Sequence, residues 1–128
     1  MCTAIYDDKC GAVLGRTLDL ELTHGEKYTT LDAGVEMKYI YLGNVKNKYR
    51  IGGTAHTVGG VPLFYDGMNE CGLGIAALNF PGCAVYLPPH KGYTNLGSFE
   101  LIPYILGSCQ DISEAEECLS HINLVGDS

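Results

Sequence analysis

Apolar segments in this chain are short, and turn-forming residues cut them off before most reach the length of an ordinary helix. Glycine makes many of these breaks: 17 of the 128 residues, about 13% where about 7% is usual. So many permissive turns lean the chain toward strands. Cys2–Tyr6 and Ala12–Leu18 are apolar, β-friendly runs joined by the polar turn Asp7–Gly11, and together they predict a hairpin. Tyr28–Leu31, Val35–Leu42, Tyr49–Thr57 and Val61–Tyr65 are further strand candidates. Asn44–Lys48 reads as an exposed polar loop, and Asp66–Gly72 as turn chemistry. Leu73–Leu78 has no polar alternation, which predicts a central strand buried on both faces. A loop opens at Pro88-Pro89 and runs to about Gly97.

Helical periodicity enters only near the end. Phe99, Leu101, Ile102, Ile105 and Leu106 recur close to the 3.6-residue period across Ser98–Cys109, with Pro103 early in the segment. Ser113-Glu114-Ala115-Glu116 has the form of a capping box and predicts a second helix running to about Ile122. Asn123-Leu124-Val125 reads as the start of another strand. Strands followed by a helix pair give an α+β order in one domain. Two helices cover one sheet face at most, so either the protein dimerises or a further piece of chain covers the other face.

Composition removes several classes of function. A formal charge of −7 with no basic stripe argues against nucleic acid. No apolar run reaches the roughly 18 residues of a membrane span. No basic region followed by an apolar stretch opens the chain, so a cytoplasmic protein with reduced thiols is expected. The six cysteines (2, 10, 71, 83, 109 and 118) show no C-x-x-C spacing, and His24, His56, His90 and His121 show no metal-ligand spacing. Neither metal nor cofactor is expected.

Cys2 follows the initiator methionine. Removal of Met1 would leave one residue carrying a thiol and a free α-amine. Such an amine titrates near about 7.7–8.0, so part of it is free base at neutral pH and can take the thiol proton. A retained Met1 would turn that nitrogen into an amide, which is no base. Arg16 and Asp19 lie three apart at the end of the strand expected to pair with the Cys2 strand, within reach of residue 2. A carboxylate there would hold the amine, and an arginine would favour the thiolate and orient substrate. A surface ion pair is the plainer alternative. Asn79 is a polar residue closing an apolar run, either a satisfied turn residue or an oxyanion donor.

Taken together, Met1-Cys2-Thr3-Ala4, Gly15-Arg16-Thr17-Leu18-Asp19-Leu20-Glu21, Asp66-Gly67-Met68-Asn69-Glu70 and Leu78-Asn79-Phe80-Pro81-Gly82 resemble the choloylglycine hydrolases, which include bile salt hydrolases and penicillin V acylases. Ser98–Pro103 and Ile122–Val125 are similar too, so the resemblance extends along nearly the whole chain. It implies an N-terminal nucleophile hydrolase fold, an αββα sandwich, of which residues 1–128 would be the N-terminal portion of a single, apparently truncated domain. It also implies Cys2 as nucleophile with its own amine as base, Arg16 and Asp19 flanking it, and Asn79 in the oxyanion hole. Bile salt hydrolases tend to have asparagine at the Asn79 position and penicillin V acylases tyrosine. The implied substrate is therefore a glycine- or taurine-conjugated bile acid, with penicillin V or another N-acyl amide as alternative. An inactive remnant is the alternative of another class. Met68, Phe80 and Tyr86 are candidates for the sterol groove, though such residues are more often ordinary packing. Family members are well over twice this length, so the chain alone is expected to show little or no activity, and the full-length protein to be a homo-oligomer.

Overall fold

A computed structural model describes residues 2–19, 22–79 and 82–126. The expected hairpin is present: β1 (Thr3–Asp7) pairs antiparallel with β2 (Val13–Thr17), Thr3 opposite Thr17 and Asp7 opposite Val13. Next come β3 (Lys27–Leu31), β4 (Glu36–Tyr39), β5 (Gly43–Lys46), β6 (Ile51–Val58), β7 (Val61–Phe64), β8 (Asp66–Asn69) and β9 (Gly74–Ala76). Strand β6 is the spine of a five-stranded sheet. It pairs with β3 along one side and with β7 and β8 along the other, and β9 extends the sheet beyond β8. β4 and β5 form a separate hairpin.

Ile51, Gly53 and Ala55 alternate along β6 as its buried positions. They define the face that the helices cover, because successive residues of a strand point to opposite sides. A 3-10 turn (Ser98–Glu100) leads into α1 (Leu101–Ser108), and α2 (Ile112–Leu119) follows. Ile51, Ala55 and Phe64 from the sheet pack with Leu73, Ile102, Ile105, Leu106, Cys109 and Ala115 in one core. Gly67 is required beneath α1: a methyl there would stand 2.9 Å from Leu106 Cδ1. Before and after the helices, β10 (Thr94–Gly97) and β11 (Ile122–Val125) pair in parallel. All six cysteines are thiols. Burial and the neighbouring Cys118 raise the Cys109 thiol to about 11.

The opposite face of the sheet carries Met68 and Tyr28, and the β1–β2 hairpin lies over part of it. Leu14 of β2 packs at Gly74, where an added methyl would meet its Cδ2 at 3.1 Å and Met68 Cε at 3.4 Å. Ile5, Tyr6 and Val13 of the hairpin remain exposed.

Several local expectations are corrected. The predicted strand Val35–Leu42 stops at Tyr39, and the supposed loop after it supplies β5; Gly43, at φ 75°, allows the chain to reverse. Asp66–Asn69 is a strand, with the turn confined to residues 70–72. The predicted central strand at Leu73–Leu78 is only three residues long and ends the sheet order, half-buried. Its apolar character reflects contact with α1 on one side and Leu14 on the other. Thr94–Gly97 is a strand where a loop was expected, because β11 supplies its partner from 28 residues away. The cap of α2 is Asp111, which accepts from the Glu114 amide at 2.9 Å, two residues earlier than the Ser113 box. An extended residue 111 puts its carboxylate over the first free amides, so the hydroxyl of Ser113 lies inside the helix.

Candidate active site

The hairpin register brings Cys2 to the same end of the molecule as the residues that follow β9. Cys2, Leu18, Tyr65, Leu78, Asn79, Tyr86, Ser98 and Phe99 are among the residues lining one cleft of about 400 Å³, whose inner wall includes Phe64, Ile75, Leu101 and Ile102. Cys2 is half-buried and Asn79 exposed. Two of the four residues expected at the centre thus share one surface.

Asp19 is tied to the segment beside Cys2 through a hydroxyl. The Thr3 amide donates to Thr17 Oγ1 at 3.1 Å, and Thr17 Oγ1 donates to Asp19 Oδ2 at 3.3 Å. Strand pairing of Thr3 with Thr17 makes this chain possible.

Arg16 is the most constrained polar group here. Its side chain is only 8% exposed. It donates to the Tyr65 carbonyl at 2.8 Å, the Ala77 carbonyl at 3.0 Å and the Thr17 carbonyl at 3.2 Å, and it stands 3.7 Å from Asp66 Oδ2. Cys2 is not among these partners. The guanidinium therefore bolts the hairpin to β8 and to the strand end that leads into Asn79. An arginine suits this because its planar fork serves several carbonyls at once. Replacing Arg16 with leucine is expected to cost about 3 kcal/mol, since it strands carbonyls and Asp66 away from water. Urea denaturation of the two chains measures this, and a loss under about 1 kcal/mol would show the clamp to be dispensable.

The Asp66-Gly67-Met68-Asn69-Glu70 segment turns out to be scaffold. Asp66 Oδ1 accepts from the Thr54 amide at 2.8 Å and Glu70 Oε1 from the Arg50 amide at 3.0 Å. Asn69 is buried with four hydrogen bonds. Met68 points to the side of β8 opposite Gly67 and Asn69, toward Leu14 and Tyr28, because strand residues alternate. It does not line the Cys2 cleft. Tyr86 does, with its ring against Gly126. Phe80 lies outside the described residues. Tyr65, Ser98 and Phe99 are cleft residues that sequence reasoning did not single out as such; the signal was that Ser98 and Phe99 open a family-like segment and Tyr65 precedes another. The Tyr65 hydroxyl lies 2.8 Å from His56 Nδ1, and burial, then the Glu26 carboxylate, raise its titration above the usual phenol range. Among the described residues, no group of three or more His, Cys, Asp or Glu side chains is placed to hold a metal ion, and no helix is long and apolar enough to cross a membrane.

Cys2, next to Met1 in the sequence, and Asn79 thus share one cleft, and the buried Arg16 clamps the strand end that leads into Asn79. The model of the linear amide C-N hydrolases, choloylglycine hydrolase family, matches residues 2–128, and the chain belongs to that family. It is 36% identical over 125 residues to a bile salt hydrolase/transferase of Lactiplantibacillus plantarum, with 98% of this chain and 39% of that protein aligned. It is 34% identical to a conjugated bile acid hydrolase of Lactobacillus acidophilus, with 100% and 42% aligned. A crystal structure of a mutant conjugated bile acid hydrolase from Clostridium perfringens superimposes with a TM-score of 0.86 at 26% identity, over 97% of this chain and 38% of that one. The described fold is thus the N-terminal part of an N-terminal nucleophile hydrolase, and the chain spans about two fifths of the length of the curated relatives it matches.

Proposed function

We propose that this chain carries the nucleophilic part of an enzyme that cleaves the amide bond of glycine- or taurine-conjugated bile acids. The supporting observation is that Cys2 and Asn79 line one apolar cleft in a chain of this family. With Met1 removed, the Cys2 amine takes the thiol proton and the thiolate attacks the amide carbonyl. Asn79 donates to the oxyanion. The protonated amine then gives its proton to the departing glycine or taurine nitrogen. Water cleaves the resulting thioester, releasing free bile acid and restoring the thiol. Asp19, held by Thr17, steadies the amine, and Arg16 keeps the strand end bearing Asn79 in place.

Residues 1–128 act in this reading as the N-terminal portion of one longer, homo-oligomeric domain in the cytoplasm. The exposed Ile5, Tyr6 and Val13 of the hairpin support further burial, and six free thiols suit a reducing compartment. Purification from the native cells tests both parts. The expected species is far heavier than 13.8 kDa, begins at Cys2 and releases taurine or glycine from conjugated bile salts, while the 128-residue chain alone turns over little or none. A native 13.8 kDa species retaining Met1 and inert toward these amides would overturn the reading.

A further inference from the structure

Phe99 is 59% exposed although it stands between core-forming strands and a core-forming helix. Its neighbours Leu101 and Ile102 form the inner wall of the Cys2 cleft, and Phe99 itself lines the same cleft. The turn that presents it is pinned at two points by one carboxylate. Glu100 Oε1 accepts from the Gly97 amide at 2.7 Å, closing the turn on itself. Glu100 Oε2 accepts from the Ile40 amide at 3.0 Å, tying the turn to the segment after β4. An aromatic ring on a backbone already ordered in this way loses little freedom on contact with a ligand. The cleft has the character of a small-molecule site, mostly apolar with a few polar groups, Asn79 and Ser98 among them.

We infer that Phe99 is a specificity-determining residue that packs against the apolar acyl portion of the substrate at the Cys2 cleft, with Glu100 as the positioning residue that holds its turn. This rests on the reading of Cys2 as the acylated nucleophile. A flat, rigid ring system on the acyl side uses such a fixed aromatic face fully, whereas a flexible chain gains less, so Phe99 selects for bulky fused-ring acyl groups. Ring exposure disappears on binding and returns on product release.

Protection of Cys2 from alkylation tests this on the full-length protein of which residues 1–128 are the N-terminal portion. Cys2 is alkylated with iodoacetamide and followed by peptide mass mapping, with sub-micellar deoxycholate as the probe. Deoxycholate is expected to slow modification of Cys2. Phe99→Ala should raise the concentration giving half-protection about tenfold, equivalent to about 1.4 kcal/mol. Glu100→Ala should act in the same direction with Phe99 in place, and Glu100→Gln, which keeps one acceptor, should recover part of the protection. Ile112→Ala removes a side chain of similar exposure outside the cleft and should change nothing. Equal protection in the native and Phe99→Ala chains would overturn the assignment, as would absence of protection in the native chain. Cleavage of conjugates is read separately, so a chain that binds deoxycholate through Phe99 but belongs to an enzyme without amidase activity would sink only the reading of Cys2 as nucleophile.

Discussion

Asn69→Ala is expected to remove a large part of the stability of the fold. The side chain, 5% exposed, joins three elements at once. Its Nδ2 donates to the carbonyls of Leu106 at 2.9 Å and Cys109 at 2.7 Å, which the end of α1 cannot satisfy itself. Its Oδ1 accepts from the amides of Cys71 at 3.0 Å and Leu73 at 3.1 Å and so shapes the turn between β8 and β9. Alanine leaves four backbone groups without partners, most of them shielded from water. At about 1–3 kcal/mol for each buried group left unpaired, a total loss of about 4 kcal/mol is a conservative figure. Whole domains are stable by only about 5–15 kcal/mol. Thermal denaturation should show the midpoint falling by roughly 12 °C or more. Asn69→Asp should do no better, because it keeps the acceptor but sets a carboxylate against two carbonyls. A fall of less than about 3 °C for either variant would mean that the end of α1 finds other partners.

Gly53→Ala is the second large effect. An added methyl would overlap the Asp66 carbonyl oxygen and lie 2.6 Å from Gly67 Cα, so β6 and β8 would have to part. Both obstacles are backbone, which cannot rotate out of the way as a side chain can. A cost above about 3 kcal/mol is expected, at the upper end of overpacking effects. The consequences reach the cleft, because Asp66 carries both the Thr54 amide and the Arg16 contact. Gly15→Ala is the matched control: the same methyl meets only the Ile5 side chain at 3.5 Å. Chemical denaturation of both variants should separate them by at least about 2 kcal/mol. Equal stabilities would show that β6 and β8 are free to shift.

Much of the fold was legible without coordinates. The hairpin of residues 3–17, strands β3, β6 and β7, and the two helices follow from alternation, turn residues and helical period, all of which are local signals. The short segments at 43–46 and 94–97 were not, because each is a strand only by virtue of its partner: β4 across the Gly43 turn in one case, β11 beyond both helices in the other. The apolar run at 73–78 misled for a related reason. Its side chains are covered by a helix and by Leu14, not by flanking strands, and composition does not distinguish the two.

The candidate site divides in the same way. Cys2 stands out from its position after the initiator methionine, and Asn79 as a polar residue closing an apolar run; these are facts of order along the chain. What the sequence determined by itself is therefore the set of chemical groups and the local elements that carry them. Only tertiary structure decided how they are used. It placed Met68 on the far side of β8 from the buried Asn69, drew Arg16 onto three carbonyls, made Asn69 a structural bolt and brought Phe99 to the cleft from 97 positions beyond Cys2. The physical reason is that a buried hydrogen-bonding group takes whichever partners the packed elements bring to it. The carbonyls that take their N–H groups across the fold lie 37 to 61 positions away for Asn69 and Arg16, beyond the reach of any local pattern.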